Sequence, residues 1–157
     1  MPVLTPHSLA DAVAALAVHP DALPLAGGTD LMVEVNEGRR ALVGDETVVS
    51  LGGVPELTSY TIDTAGGRVT LGAAVRWSVI ERDPLASLLP ALAQAARTVG
   101  SPQIRNAGTV GGNLATCSPA GDGLPVLAAL EATVDLVSAH GTRSMPVAEF
   151  MRGVKRT

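Results

Sequence analysis

Cysteine, lysine and aromatic residues are nearly absent from these 157 residues. The single cysteine, Cys117, permits neither an internal disulfide nor a Cys-built metal or iron–sulfur site within the chain. It also favours a reducing, cytoplasmic address. Only Tyr60, Trp77 and Phe150 could stack on bases, and the formal charge is −4. Both features argue against a nucleic acid partner. The longest nearly apolar run, Leu124 to Leu130, is far too short to cross a bilayer, and "MPVLTPHSLADAV" has no basic region leading into an apolar stretch. Neither a membrane span nor an export signal is visible. What is present is ordinary for a folded protein: hydrophobic residues make up 46% and charged ones 17%. The length suits one core, or two small lobes sharing one.

Along the chain, Thr5 reads as an N-cap with Pro6 at the first helical position, and Leu9, Val13 and Leu16 share a helical face that ends at Pro20. Leu23 to Ala26 reads as a short buried strand running into Gly27-Gly28, and "DLMVEV" begins a second helix, with Thr29 or Asp30 as its cap. "ETVVSL" is a strand closed by Gly52-Gly53, where a lobe boundary falls, giving lobes 1–53 and 54–157. A hairpin turns at Gly66-Gly67, Ser78 caps a helical turn through Glu81, "LPALAQAARTVG" is a helix, and a second hairpin turns near His140-Gly141. Helices and hairpins without a regular βαβ rhythm point to an α+β fold.

Two glycine loops stand out: "LAGGTDL" at residues 25–31 and "GTVGGN" at residues 108–113. Consecutive glycines let several backbone N–H groups face one object, and such arrays favour anions, phosphate above all. Thr29 and Thr109 add hydroxyl donors. Neither loop is a P-loop, because the only lysine, Lys155, lies far from both in sequence, and Gly108, Gly111 and Gly112 lack the G-x-G-x-x-G spacing. A lysine-free site would hold a phosphate without transferring it. Asn113, Thr116, Ser118 and Asp122 follow the second loop with donors and acceptors suited to sugar or sugar-alcohol hydroxyls. Taken singly, each loop reads more readily as a plain turn than as a ligand site. Together they suggest a pyrophosphate between two lobes.

These stretches resemble the FAD-binding subunit or domain of the molybdenum hydroxylases, the group of xanthine dehydrogenase and aerobic carbon monoxide dehydrogenase. "PLAGGTDL" is similar to the family's first flavin loop, and "GSPQIRNAGTVGGNLATCSPAGDGLPVLAALEATVDL" to its second, and the likeness runs from "SLADAVAAL" to "FMRGVKRT". The resemblance implies a two-lobed flavin fold of the vanillyl-alcohol-oxidase (PCMH) type: a small N-terminal α/β lobe, then a larger lobe with an antiparallel sheet and helices. It implies that Leu25, Ala26, Gly27, Gly28, Thr29, Asp30 and Leu31 wrap the FAD pyrophosphate, with Thr109, Val110, Gly111, Gly112 and Asn113 closing from the other lobe. Asp122 would take a cofactor hydroxyl with Ser118 nearby, and Val99 and Gly100 would border the flavin. It further implies a large partner subunit carrying the molybdenum cofactor, a small partner carrying two 2Fe–2S clusters, and NAD or another terminal acceptor, with no catalytic acid, base or metal on this chain. The family's flavin subunits continue beyond the segment matching "GVKRT", so the larger lobe is expected to be incomplete here and the family's C-terminal domain absent. A branch with an extra 4Fe–4S cluster is disfavoured by the lone cysteine. The other readings are a stand-alone flavin oxidoreductase of the same fold and a non-catalytic nucleotide-binding or assembly module.

Plainer roles stand beside these. Cys117 and Trp77 are expected to pack in the core, and His7, His19 and His140 to lie at the surface. Arg105 suits a pyrophosphate, a carboxylate or a partner surface equally, and Asp30 and Asp122 are also ordinary turn and cap residues.

Overall fold

The computed structural model describes residues 2–41 and 46–157. A three-stranded parallel sheet lies in the N-terminal part of the chain. Its strands are β1 (Val3–Leu4), β2 (Leu23–Leu25) and β3 (Val48–Ser50), in the order β1-β3-β2. Leu23 pairs with Val48, Leu25 with Ser50 and Val3 with Val48, so β3 is central, and its Val48 and Val49 are buried as a strand flanked on both sides requires. Helices α1 (Leu9–Val18) and α2 (Leu31–Asn36) provide crossovers between parallel strands. Helix α1 begins three residues later than the Thr5 cap and Pro6 start anticipate. Ser8 is the cap, its hydroxyl accepting from Asp11 N at 3.0 Å, while Pro6 is buried in the segment before the helix. Strand β1 is too short to show a pattern in sequence, which hid the β–α–β order of this unit.

The rest of the described chain is helices around two separate hairpins. Helix α3 (Pro55–Thr58) leads into β4 (Tyr60–Asp63) and β5 (Arg68–Leu71), which pair antiparallel across the Gly66-Gly67 turn. Then come α4 (Trp77–Ile80), α5 (Leu85–Leu88), α6 (Pro90–Thr98), α7 (Pro102–Ala107), α8 (Val110–Thr116) and α9 (Gly123–Ala129). The hairpin of β6 (Thr133–Ser138) and β7 (Gly141–Pro146), and α10 (Val147–Phe150), follow. Trp77, Ile80, Leu85, Leu92, Ala96, Val110, Leu127 and Val147 form the core of this part. Ser78 is the second residue of α4, with Arg76 at the cap position. Two helices, α7 and α8, occupy a stretch that glycine content marks as loop. Ser101 caps α7 by accepting from Ile104 N at 3.3 Å, with Pro102 at the first position, and Thr109 caps α8. Among the described residues, no helix is long and apolar enough to cross a membrane.

Candidate functional site

The two glycine loops lie against each other. Leu25 ends β2, Leu31 begins α2, and the turn between them passes directly over the junction of α7 and α8. A Cβ at Gly27 would lie 2.1 Å from Ala107 O and 2.9 Å from Gly108 Cα, so no side chain fits there while the loops touch. Gly28 has φ +69°, a conformation natural to glycine. Thr29 Oγ1 and Trp77 Cδ1 both flank Gly108, at 3.4 and 3.5 Å from where its Cβ would stand. A cleft of about 210 Å³ opens along this seam, bordered by Ala26, Gly27, Arg76, Asn106, Ala107 and Thr109.

The loops differ in what they offer. Among the described residues, nothing accepts the N–H groups of Ala26, Gly27, Gly28, Thr29, Asp30 or Leu31, whereas the Gly28 and Asp30 carbonyls accept from Met32 and Glu34 as α2 starts. Six consecutive amides without protein partners, at half-buried positions for most of the turn, form an array suited to an anion. The second loop is a helix start whose amides are already engaged. Val110 N donates to Val75 O at 3.0 Å, Gly111 N to Ala73 O at 2.8 Å, Asn113 N to Thr109 O at 3.0 Å and Gly112 N to Thr109 Oγ1 at 3.1 Å. Only the Thr109 amide in that run lacks an acceptor among the described residues. Open amides are thus offered by the first loop, which rests against a helix start whose own amides, Thr109 apart, are used internally. The cause is that α8 docks its first turn against Ala73 to Val75, whose carbonyls take the amides a free helix start would leave open. Gly111 is glycine for this docking, since its Cβ would come within 2.6 Å of Ala73 Cβ.

Asn113 contributes differently. Its Oδ1 is buried and has no partner among the described residues, an arrangement that costs free energy unless something bound there donates to it. Ser118 Oγ accepts from Ala120 N at 3.2 Å, and Asp122 is exposed at the start of α9 without capping it. Next to them, Cys117, Ser118, Pro119, Leu124, Met151 and Val154 border a mainly apolar cleft of about 420 Å³. Val99 and Gly100 sit at the opposite end of α7 from Gly108. Arg105 Nη1 donates to Gly100 O at 3.0 Å and Nε lies 3.0 Å from Glu81 Oε2, so of its three readings Arg105 takes the carboxylate. Trp77 is 1% exposed, Cys117 is buried, and the three histidines are exposed. Among the described residues, no three His, Cys, Asp or Glu side chains gather as a metal-binding group.

Sequence reasoning missed Lys155. The fold carries it to the start of α2, where its Nζ is 3.3 Å from Asp30 Oδ2 and hydrogen-bonds Glu34. Nothing local in "GVKRT" signals this, because the partners lie more than a hundred positions away. The hydrogen bond from Lys155, assisted by its charge and opposed by desolvation, holds the Glu34 carboxyl below its ordinary 4.5. The same bond raises Lys155 above its ordinary 10.5. A lowered carboxyl contributes stability that is present above the unfolded-state value and is lost as pH falls through the folded one, and a raised lysine loses its contribution only as pH climbs through its folded value. The stability difference between the protein and its Glu34→Gln variant is therefore expected to stay flat from about pH 6 to about pH 9 and to shrink only in acid or strong alkali. Denaturant midpoints measured across that range check this; a slope near neutrality would contradict it.

Residues 1–157 match the family described as the FAD binding domain in molybdopterin dehydrogenase. The chain is 39% identical over 151 residues to the nicotinate dehydrogenase FAD-subunit of Eubacterium barkeri, covering 94% of this chain and 49% of that protein. It is 33% identical over 154 residues to the carbon monoxide dehydrogenase medium chain of Hydrogenophaga pseudoflava, covering 97% of this chain and 52% of that one. The structure superposes on quinoline 2-oxidoreductase from Pseudomonas putida 86 with a TM-score of 0.90 at 31% identity, over 100% of this chain and 54% of that one. The chain thus spans about half the length of the relatives it matches.

Proposed function

Because the chain belongs to the family of FAD-binding domains of molybdopterin dehydrogenases, we propose that it holds FAD as part of the electron-transfer subunit of a molybdenum hydroxylase. The observation that carries this reading is the run of partnerless amides from Ala26 to Leu31, pressed by Gly27 against the α7–α8 junction. Those amides and the Thr29 hydroxyl would take the diphosphate. The Thr109 N–H and O–H would meet it from the α8 side, and Val110, Gly111 and Gly112 would act through close backbone approach. Asn113 Oδ1 would accept a hydrogen bond from the cofactor, Asp122 and Ser118 would meet its hydroxyls, and Val99 and Gly100 would border the ring. Asp30 contributes through its amide, because its carboxylate pairs with Lys155. The same reading divides the chain into a small lobe, residues 1–53, and a larger one, residues 54–157.

FAD accepts electrons at its ring and passes them on, and the protein's part is to seat it, exclude water and tune it. In this reading a molybdenum-cofactor large subunit oxidises the substrate, the 2Fe–2S clusters of a small subunit deliver the electrons, and NAD or another acceptor removes them, in the cytoplasm. The full-length protein purified with its partners is expected to be yellow, with extractable FAD; a colourless complex that neither retains nor takes up FAD contradicts the reading.

Gly112 separates a cofactor role from a structural one. It is exposed, and a Cβ there would meet only Thr109 Oγ1, at 2.9 Å. Gly112→Leu weakens that cap but gains helix propensity, two effects of about 1 kcal/mol each and opposite sign. The variant is expected to fold near wild-type stability and to lose FAD. Equal loss of fold and flavin would assign the glycine to structure alone.

A further inference from the structure

We infer that Lys155 is a positioning residue that fastens the diphosphate loop to the rest of the molecule, an inference that rests on the FAD reading above. Three observations meet at this residue. Its backbone N–H donates to Thr116 O at 2.9 Å, at the end of α8, so its main chain is anchored behind the second loop. Its side chain crosses to the first loop, pairing with Asp30 and Glu34 at the start of α2. Its φ is +52°, a conformation that lysine adopts only when its surroundings hold it, here in the turn closed by the Gly153–Arg156 bridge.

The consequence is mechanical and electrostatic. The partnerless amides lie between β2 and α2, so their aim depends on where α2 is held. Lys155 links the two elements, its ammonium pairing with Asp30 and Glu34 at α2 and its backbone N–H bonding the end of α8. Asp30 and Glu34 also place two negative charges beside a loop that would receive a dianion. Lys155 offsets part of that repulsion while leaving every loop amide free, since its ammonium pairs with carboxylates only. Lysine is therefore absent from the anion cradle yet supports it from behind.

The test uses the full-length protein in its native complex, stripped of flavin, with Lys155→Met and Lys155→Arg beside wild type. FAD affinity measured by flavin fluorescence is expected to fall roughly fivefold in Lys155→Met at low salt and to be largely restored in Lys155→Arg. Raising the salt should bring wild type toward Lys155→Met, because the pair is solvent-facing and screened. Flavin-free hydrogen exchange gives a second readout: the amides of Met32 and Glu34 in α2, and of Glu37 at its C-cap, should exchange faster in Lys155→Met than in the other two. Equal affinity, salt dependence and exchange in all three proteins would overturn the inference. Faster α2 exchange in Lys155→Met with no FAD binding by any of them would instead overturn the FAD reading and leave the fastening itself supported.

Discussion

Gly27→Val is expected to abolish FAD binding and to destabilise the fold by about 1–3 kcal/mol or more, the usual range for forcing bulk into a closed contact. The Cβ alone would stand 2.1 Å from a backbone oxygen, Ala107 O, which has no rotamer with which to yield. The first loop must therefore lift from the α7–α8 junction, and the amides from Ala26 to Leu31 lose their aim. Gly28 supplies the contrast. Its Cβ would make only ordinary contacts, with Leu25 Cδ1 at 3.5 Å and Met32 Cγ at 3.9 Å, and its left-handed backbone is one that asparagine tolerates, so Gly28→Asn should keep the loop seated. Denaturant unfolding with flavin content measured in parallel checks both. Retention of FAD by Gly27→Val would show that the contact between the loops is dispensable.

Trp77→Ala is expected to have the largest effect on stability, about 3–5 kcal/mol. That is a large share of the roughly 5–15 kcal/mol that a domain possesses. Trp77 is 1% exposed, and its indole lies between the Gly108 junction and the start of α9. Its Cη2 lies 2.4 Å from where a Cβ on Gly123 would stand, and its backbone N–H donates to Gly108 O at 3.2 Å. Removing the ring leaves the Gly108 junction and the start of α9 without support on one side. Gly123 is buried because the ring needs its missing side chain, so Gly123→Leu should reproduce much of the loss with the tryptophan still present. A Trp77→Ala protein with an unchanged unfolding midpoint would mean that this core relaxes to fill the hole.

Glycine content was legible in the sequence as a sign of close approach, but what approaches was not. Gly27 and Gly111 meet the protein's own backbone and Gly123 meets the Trp77 ring, whereas Gly112 faces outward with only its own cap nearby. One composition thus records two physical causes, and only packing separates them. The hairpins at Gly66-Gly67 and His140-Gly141 were readable because their turn chemistry and alternation are local. Helix α8 was hidden because glycine is a poor helix former, about 1 kcal/mol worse than alanine, and its docking on Ala73 outweighs that penalty. Ser101-Pro102 did announce α7, a start signal that the bareness of the following stretch obscured. The two-residue strand β1 and the reach of Lys155 to Asp30 depend on partners far along the chain, which no local pattern encodes.

The central claim is that amides of the first loop, and not those of Val110 to Asn113, whose N–H groups are already engaged, receive the diphosphate. Selective isotope labelling of glycine and threonine in the full-length protein allows the amide resonances of Gly27, Gly28 and Thr29 to be followed as FAD or riboflavin is added. The account predicts large shifts of all three with FAD and little change with riboflavin, which lacks the diphosphate, while the amides of Gly111 and Gly112 keep their internal hydrogen bonds in both titrations. Stationary Gly27, Gly28 and Thr29 resonances in the presence of bound FAD, or equal shifts with riboflavin, would contradict it.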